Sequence, residues 1–166
     1  MRIGYIFLII HSQLIKQSTR MNKKRNDRRE LSYFTAALFL FLKDSHPALA
    51  SDKNLIAVRA DSAADTYERM VRDGLPVAQA LELANAVLYQ DLRFSKFDTV
   101  FEIVSEWFPE VEPRRRTSFC LKVLPPTEAV FGKYPIDDDF GTSPLYRTLT
   151  IELTCFIQFY IEQHGL

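Results

Sequence analysis

Five glycines in 166 residues are too few for a fold of many strands joined by tight turns. There are only two cysteines, Cys120 and Cys155, and no C-x-x-C pair. That excludes a disulfide framework and a cysteine-based zinc site. Both cysteines sit among apolar neighbours and are expected to be buried, reduced thiols. Their spacing to His46 and His164 does not suggest a metal site. No apolar run approaches the ~20 residues that a membrane-spanning helix needs. P-loop, G-x-G-x-x-G, H-E-x-x-H and G-x-S-x-G patterns are all missing. The sequence therefore assigns no catalytic residue, no metal site and no cofactor.

What is present is ordinary globular composition with many rings. Hydrophobic residues make up 47% of the chain and charged residues 25%, with thirteen Phe, seven Tyr and one Trp. The length suits one domain with a real core. Net charge is zero but uneven. Residues 1–30 hold eight Lys/Arg against two Asp/Glu, and the remaining residues are acidic by the same margin. An acidic body is not the pattern of a domain that wraps nucleic acid on its folded face.

Residues 1–30 read as a basic leader and residues 31–166 as a single helical domain. The apolar stretch Ile3–Ile10 is too short to span a bilayer, and no A-x-A-like cleavage site follows it. Met21 is read as the translation start, with an uncleaved signal or anchor and a genuine flexible leader as the alternatives. Lys23, Lys24, Arg25, Arg28 and Arg29 form a charge run that reads as a solvated tail, with a phosphate-binding arm as the sharper alternative.

The body is expected to be all-α, a bundle of six to eight helices. Residues 31–43 are apolar nearly all round, which marks a helix buried on most sides. A short helical turn at 52–58 precedes a helix of 62–73 capped by Asp61 or Ser62, with Ala64, Tyr67 and Val71 inward. Gly74 ends that helix and Pro76 opens the next, whose inward face is Val77, Ala80, Leu81, Ala84, Val87 and Leu88. Ser95–Asp98 reads as a capping box. Phe97, Val100, Phe101, Val104, Trp107 and Phe108 follow as a buried stripe. Between residues 109 and 144 six prolines limit the helices to short ones, near 114–123 and 126–132. Ser143-Pro144 starts the last helix, which buries Leu145, Leu149, Leu153, Phe156, Ile157, Tyr160 and Ile161. The outer faces of the helices read as polar, without a large apolar patch.

Three candidate sites are weighed. Asp137–Asp139 misses the calcium-loop spacing and reads as a wet loop beside a helix start. Glu152 borders the apolar face of the last helix, and a structural ion pair with Arg59 is expected. Arg114, Arg115 and Arg116 stand at a helix start, where cations oppose the dipole. They read as ordinary salt-bridged surface beside Glu110 and Glu112, and with the N-terminal cluster they are the candidate nucleic-acid contacts.

The stretches "RADSAADTYERMVRDG", "LYQDLRFSKFD", "FGKYPIDDDFGTSP" and "IELTCFIQFYIEQHGL" resemble a small Bacteroidetes family known only as a domain of unknown function, number eighteen ninety-six in its series. The resemblance covers about residues 30–166. It implies an all-helical fold, an association with mobile elements and no known activity. Arg59, Asp61, Phe94, Ser95, Lys96, Asp98, Glu152 and Leu153 match its pattern, whereas Cys155 departs from it where a glycine is expected. The resulting expectation is a cytoplasmic, non-enzymatic helical interaction protein with an unknown protein partner, possible nucleic-acid contact and no membrane. The alternatives are a nucleic-acid accessory using the basic arm and an enzyme using Glu152 or Asp137–Asp139.

Overall fold

The computed structural model describes residues 33–166. The leader, the Met21 start and the Lys23–Arg29 cluster lie outside the described residues. Among the described residues there are six α-helices, one 3-10 turn and no strand, so the all-helical expectation holds. The helices are α1 (33–45), α2 (Lys53–Arg72), α3 (Val77–Leu88), α4 (Lys96–Trp107), α5 (Pro113–Phe131) and α6 (Pro144–His164). None is long and apolar enough to cross a membrane.

The described chain divides into two units. The first contains residues 33–39 and Lys53–Leu88. Here α2 and α3 pack together, and the residues they bury are mostly small: Ala60, Ala63 and Ala64 on α2, Ala80 and Ala84 on α3. Alanine contact faces let helix axes approach closely. Phe34 is buried and meets Tyr67 edge-on. Gly74 adopts φ +90 and closes α2 with two bonds. Its own N–H reaches the Val71 carbonyl, and the Leu75 N–H reaches that of Met70. This left-handed close favours glycine, as the sequence suggested.

Two helices that looked separate in the sequence are one. Residues 52–58 and 62–73 belong to the continuous α2. Asp61 and Ser62 do not cap a helix; the Ser62 hydroxyl donates to the Val58 carbonyl one turn back. A serine satisfied in this way can sit inside a helix. Ile56, Ala60 and Ala63 join Ala64 on the inward face, while Val71 is exposed.

The second unit contains Leu40–Asp52 and Tyr89–Leu166. Its core is a three-helix contact of α4, α5 and α6, filled by Val100, Val104, Phe119, Leu149, Leu153 and Ile157 among others. Ser95 caps α4 by accepting the Asp98 N–H, as the S-x-x-D spacing suggested. The Ser95 hydroxyl also donates to the Ser45 carbonyl. His46 donates through Nε2 to the Leu92 carbonyl at 2.8 Å.

The helices expected at 114–123 and 126–132 are likewise one, with Pro125 and Pro126 inside α5. Each proline removes a bond to the carbonyl four residues earlier, here Leu121 and Lys122. All four residues are exposed, so water can serve those carbonyls and the helix continues. Further expectations fail by exposure. The helix expected to be buried on most sides, α1, leaves Tyr33, Phe39 and Leu40 in solvent, and Val77 at the start of α3 is exposed rather than inward. Trp107, at the end of α4, points into solvent, and so does Leu145 at the start of α6.

Candidate functional site

The three aspartates before α6 are not equivalent. Asp138 accepts the backbone N–H of Asp91 and of Arg93, each at 2.9 Å. The Arg93 guanidinium lies 3.3 Å from Asp138 and 3.4 Å from Asp139. Asp91 is held at φ 59, a left-handed turn that an aspartate tolerates better than most residues. This turn aims two amides at one carboxylate. Burial of the Asp138 carboxyl works to raise its pKa, but the two amides and Arg93 outweigh it, and the pKa falls below the ordinary 3.8. The middle aspartate is therefore a clamp between two loops of the second unit rather than a solvated acid. Asp139 is mostly exposed.

Glu152 engages Lys133 at 2.8 Å and also accepts from the Tyr134 hydroxyl. The chain leaving α5 at Gly132 places Lys133 and Tyr134 alongside α6. Arg59, the partner suggested by the sequence, lies on α2 in the first unit. The bonds from Lys133 and Tyr134 hold the Glu152 pKa below its usual value. A general acid needs the reverse shift.

Arg114 and Arg115 stand exposed on the first turn of α5. Arg116 does not join them, since its Nε donates to the Val111 carbonyl at 3.2 Å. The α5 N-cap is Glu112, whose side chain makes no capping bond. Next to this turn lies a cleft of about 210 Å³. Glu110, Glu112, Arg115, Lys122, Phe119 and Leu166 line it. Its mixed charge selects neither anions nor cations. Among the described residues no cluster of three or more His, Cys, Asp or Glu could hold a metal ion.

The two thiols differ, against the expectation that both are buried. Cys120 is buried in the α5–α6 core, and burial pushes its thiol up to about 12 despite the opposing charge of Arg116 and its backbone hydrogen bond. Cys155 is exposed on α6. A thiol reagent near neutral pH should take one equivalent per folded chain, at Cys155, and a second only on unfolding. Ellman titration with and without denaturant checks this. The Cys120 thiol is protonated in the fold well beyond 9.0. Its contribution to stability is thus complete below pH 9 and is lost as pH rises toward 12. Cys120→Ala should flatten the fall in stability over that range.

Several of the residues that carry the family resemblance hold the second unit together. Phe94 packs edge-on against Phe140. Ser95 is the α4 cap, and Asp98 supplies the N–H that the cap accepts. Lys96 bonds Glu128 at 2.6 Å and lies over the Phe131 ring. Leu153 is fully buried. The family model for the domain of unknown function DUF1896 matches residues 26–166. The chain belongs to this family. It is also similar to a solved structure, the protein PG0816 from Porphyromonas gingivalis. That likeness has 32% identity and a TM-score of 0.81, and covers 86% of this chain and 97% of that one. No curated protein matches.

Sequence reasoning missed Arg93 and Lys133, which pair across long separations that no local pattern announces. It also missed a second apolar stripe. Ile151, Cys155 and Phe159 recur every four residues on α6 and are all exposed. The signal was available: they fall on the side of the helical wheel away from Leu149, Leu153 and Ile157.

Proposed function

We propose that this DUF1896 protein is a non-catalytic, cytoplasmic helical interaction protein. The observation that carries the reading is a set of large apolar side chains standing in solvent on the second unit. Trp107 is 62% exposed, Phe159 59% and Ile151 56%. Ile151 and Phe159 share the outward face of α6 with Cys155; a contiguous apolar face marks contact surfaces more often than plain surface, and aromatic residues are enriched where proteins meet. The carboxylates that drew attention as catalytic candidates support the same reading, because Asp138 and Glu152 are held ionised by structural partners.

A second reading, a phosphate-gripping accessory, draws on Arg114 and Arg115, whose side chains stand in solvent where they oppose the α5 dipole. One experiment separates the two. The full chain is cross-linked mildly in its host and isolated. Bound protein is expected, its own copies included, and Trp107→Ser and Phe159→Ser should lose it while keeping the wild-type melting temperature. A chain that carries no protein overturns the proposal. Bound nucleic acid, released by salt and weakened by Arg114→Gln with Arg115→Gln, would select the second reading.

A further inference from the structure

We infer that the outward face of α6 is a self-pairing surface that joins two copies of this chain, antiparallel about Cys155. This rests on the interaction reading above and names its partner. At 100° per residue, Arg147, Ile151, Cys155, Phe159 and Glu162 fall within about 120° of the helix circumference. All five are exposed. The opposite side carries Leu149, Leu153 and Ile157, which are fully buried. Thr148 and Gln158, also exposed, share this arc, so the face is a strip with Ile151, Cys155 and Phe159 along its centre, polar neighbours beside them and a charge of opposite sign at each end.

The order of residues along the strip chooses the partner. Ile151 and Phe159 lie four residues either side of Cys155, so the apolar stripe is about 12 Å long. Arg147 lies one turn before Ile151, and Glu162 lies just beyond Phe159. A two-fold axis through Cys155 sets Ile151 of each copy against Phe159 of the other. The same operation brings the Arg147 end of each copy to the Glu162 end of the other, twice. A parallel pairing would set Arg147 beside Arg147 and align the helix dipoles unfavourably. Arg147 makes no ion pair among the described residues, and Glu162 is engaged by Gln158 from one turn before. Both charges remain exposed. An isologous contact of this kind closes on itself as a dimer. A membrane surface fits less well, because an interfacial helix carries a row of Lys and Arg on its polar face, and this face has one cation balanced by one acid. A contact made by one helix from each copy is small, so the dimer is expected to be weak and concentration-dependent.

Analytical ultracentrifugation of the full chain, together with charge exchange, tests the inference. A monomer–dimer equilibrium is expected at on the order of 100 µM chain. Phe159→Asp should leave the melting temperature unchanged and give a monomer. Arg147→Glu and Glu162→Arg should each raise the dissociation constant about 3- to 10-fold, and the double exchange should restore it. Helix axes in contact lie about 8–10 Å apart, so a short bismaleimide should join two chains through Cys155, and Cys155→Ser should prevent it. A chain that stays monomeric at this concentration overturns the inference. So does a dimer indifferent to Phe159→Asp, or a double exchange no tighter than either single one. A monomer that still carries another protein in the host cross-linking experiment leaves the interaction reading standing.

Discussion

Phe140→Ala is expected to lower stability by about 3–5 kcal/mol, the range for removing a buried phenyl ring. Phe140 is 2% exposed and sits at the centre of an aromatic group. Phe94, Tyr134 and Tyr146 approach it edge-on, with ring centroids 5.3, 6.0 and 6.4 Å away. Truncation removes three edge contacts together and leaves a cavity, because the 3-10 turn Phe140–Thr142 cannot follow the missing ring inward without moving the start of α6. At roughly 2–4 °C per kcal/mol for a chain of this size, the melting temperature should fall by roughly 10 °C. Thermal unfolding followed by circular dichroism reads this directly. A fall of less than about 3 °C would mean that the ring is not packed as described.

The second large effect is expected at Asp138. Asp138→Ala removes the acceptor of two backbone N–H groups and the partner of Arg93, and should cost about 2 kcal/mol. Asp137→Asn and Asp139→Asn should each cost less than about 0.5 kcal/mol, as surface changes do. The pH dependence has a definite sign. The Asp138 pKa is lowered in the fold, so its contribution is present above the unfolded value of 3.8 and is lost as pH falls below it. Urea denaturation at pH 7 and in acid should show wild type and Asp138→Ala converging as the pH drops. Equal losses from all three aspartates would mean that the loop is held by general charge rather than by the clamp.

The helical architecture was legible because its signals are local. The S-x-x-D cap of α4, the Gly74 close and the periodic Leu149, Leu153 and Ile157 each act within a turn or two. Two of the breaks predicted between helices were illegible for a local reason as well. A serine that bonds backward and a proline pair on a solvent face look in sequence like interruptions, and only their surroundings show them to be tolerated. The sites were harder still. Asp138 finds its partners 45 and 47 residues away, and Glu152 finds Lys133 across the α5–α6 connection. Such pairs follow from chain routing, which one sequence does not encode in any short stretch. Trp107 is hard to read from sequence because an aromatic residue at helical spacing resembles core, while its place on the last turn of α4 carries it past the packed layer.

The proline pair within α5 has a consequence for local opening. Past Pro126, the last turns of that helix are joined to the earlier ones by fewer backbone bonds than an uninterrupted ladder would supply. Their order depends on Thr127, Val130 and Phe131, which are anchored in the core. The two halves of α5 can therefore loosen separately. The first half carries its own ladder. The second is lent its shape by its neighbours, and when they draw back it is the part of the helix that frays first.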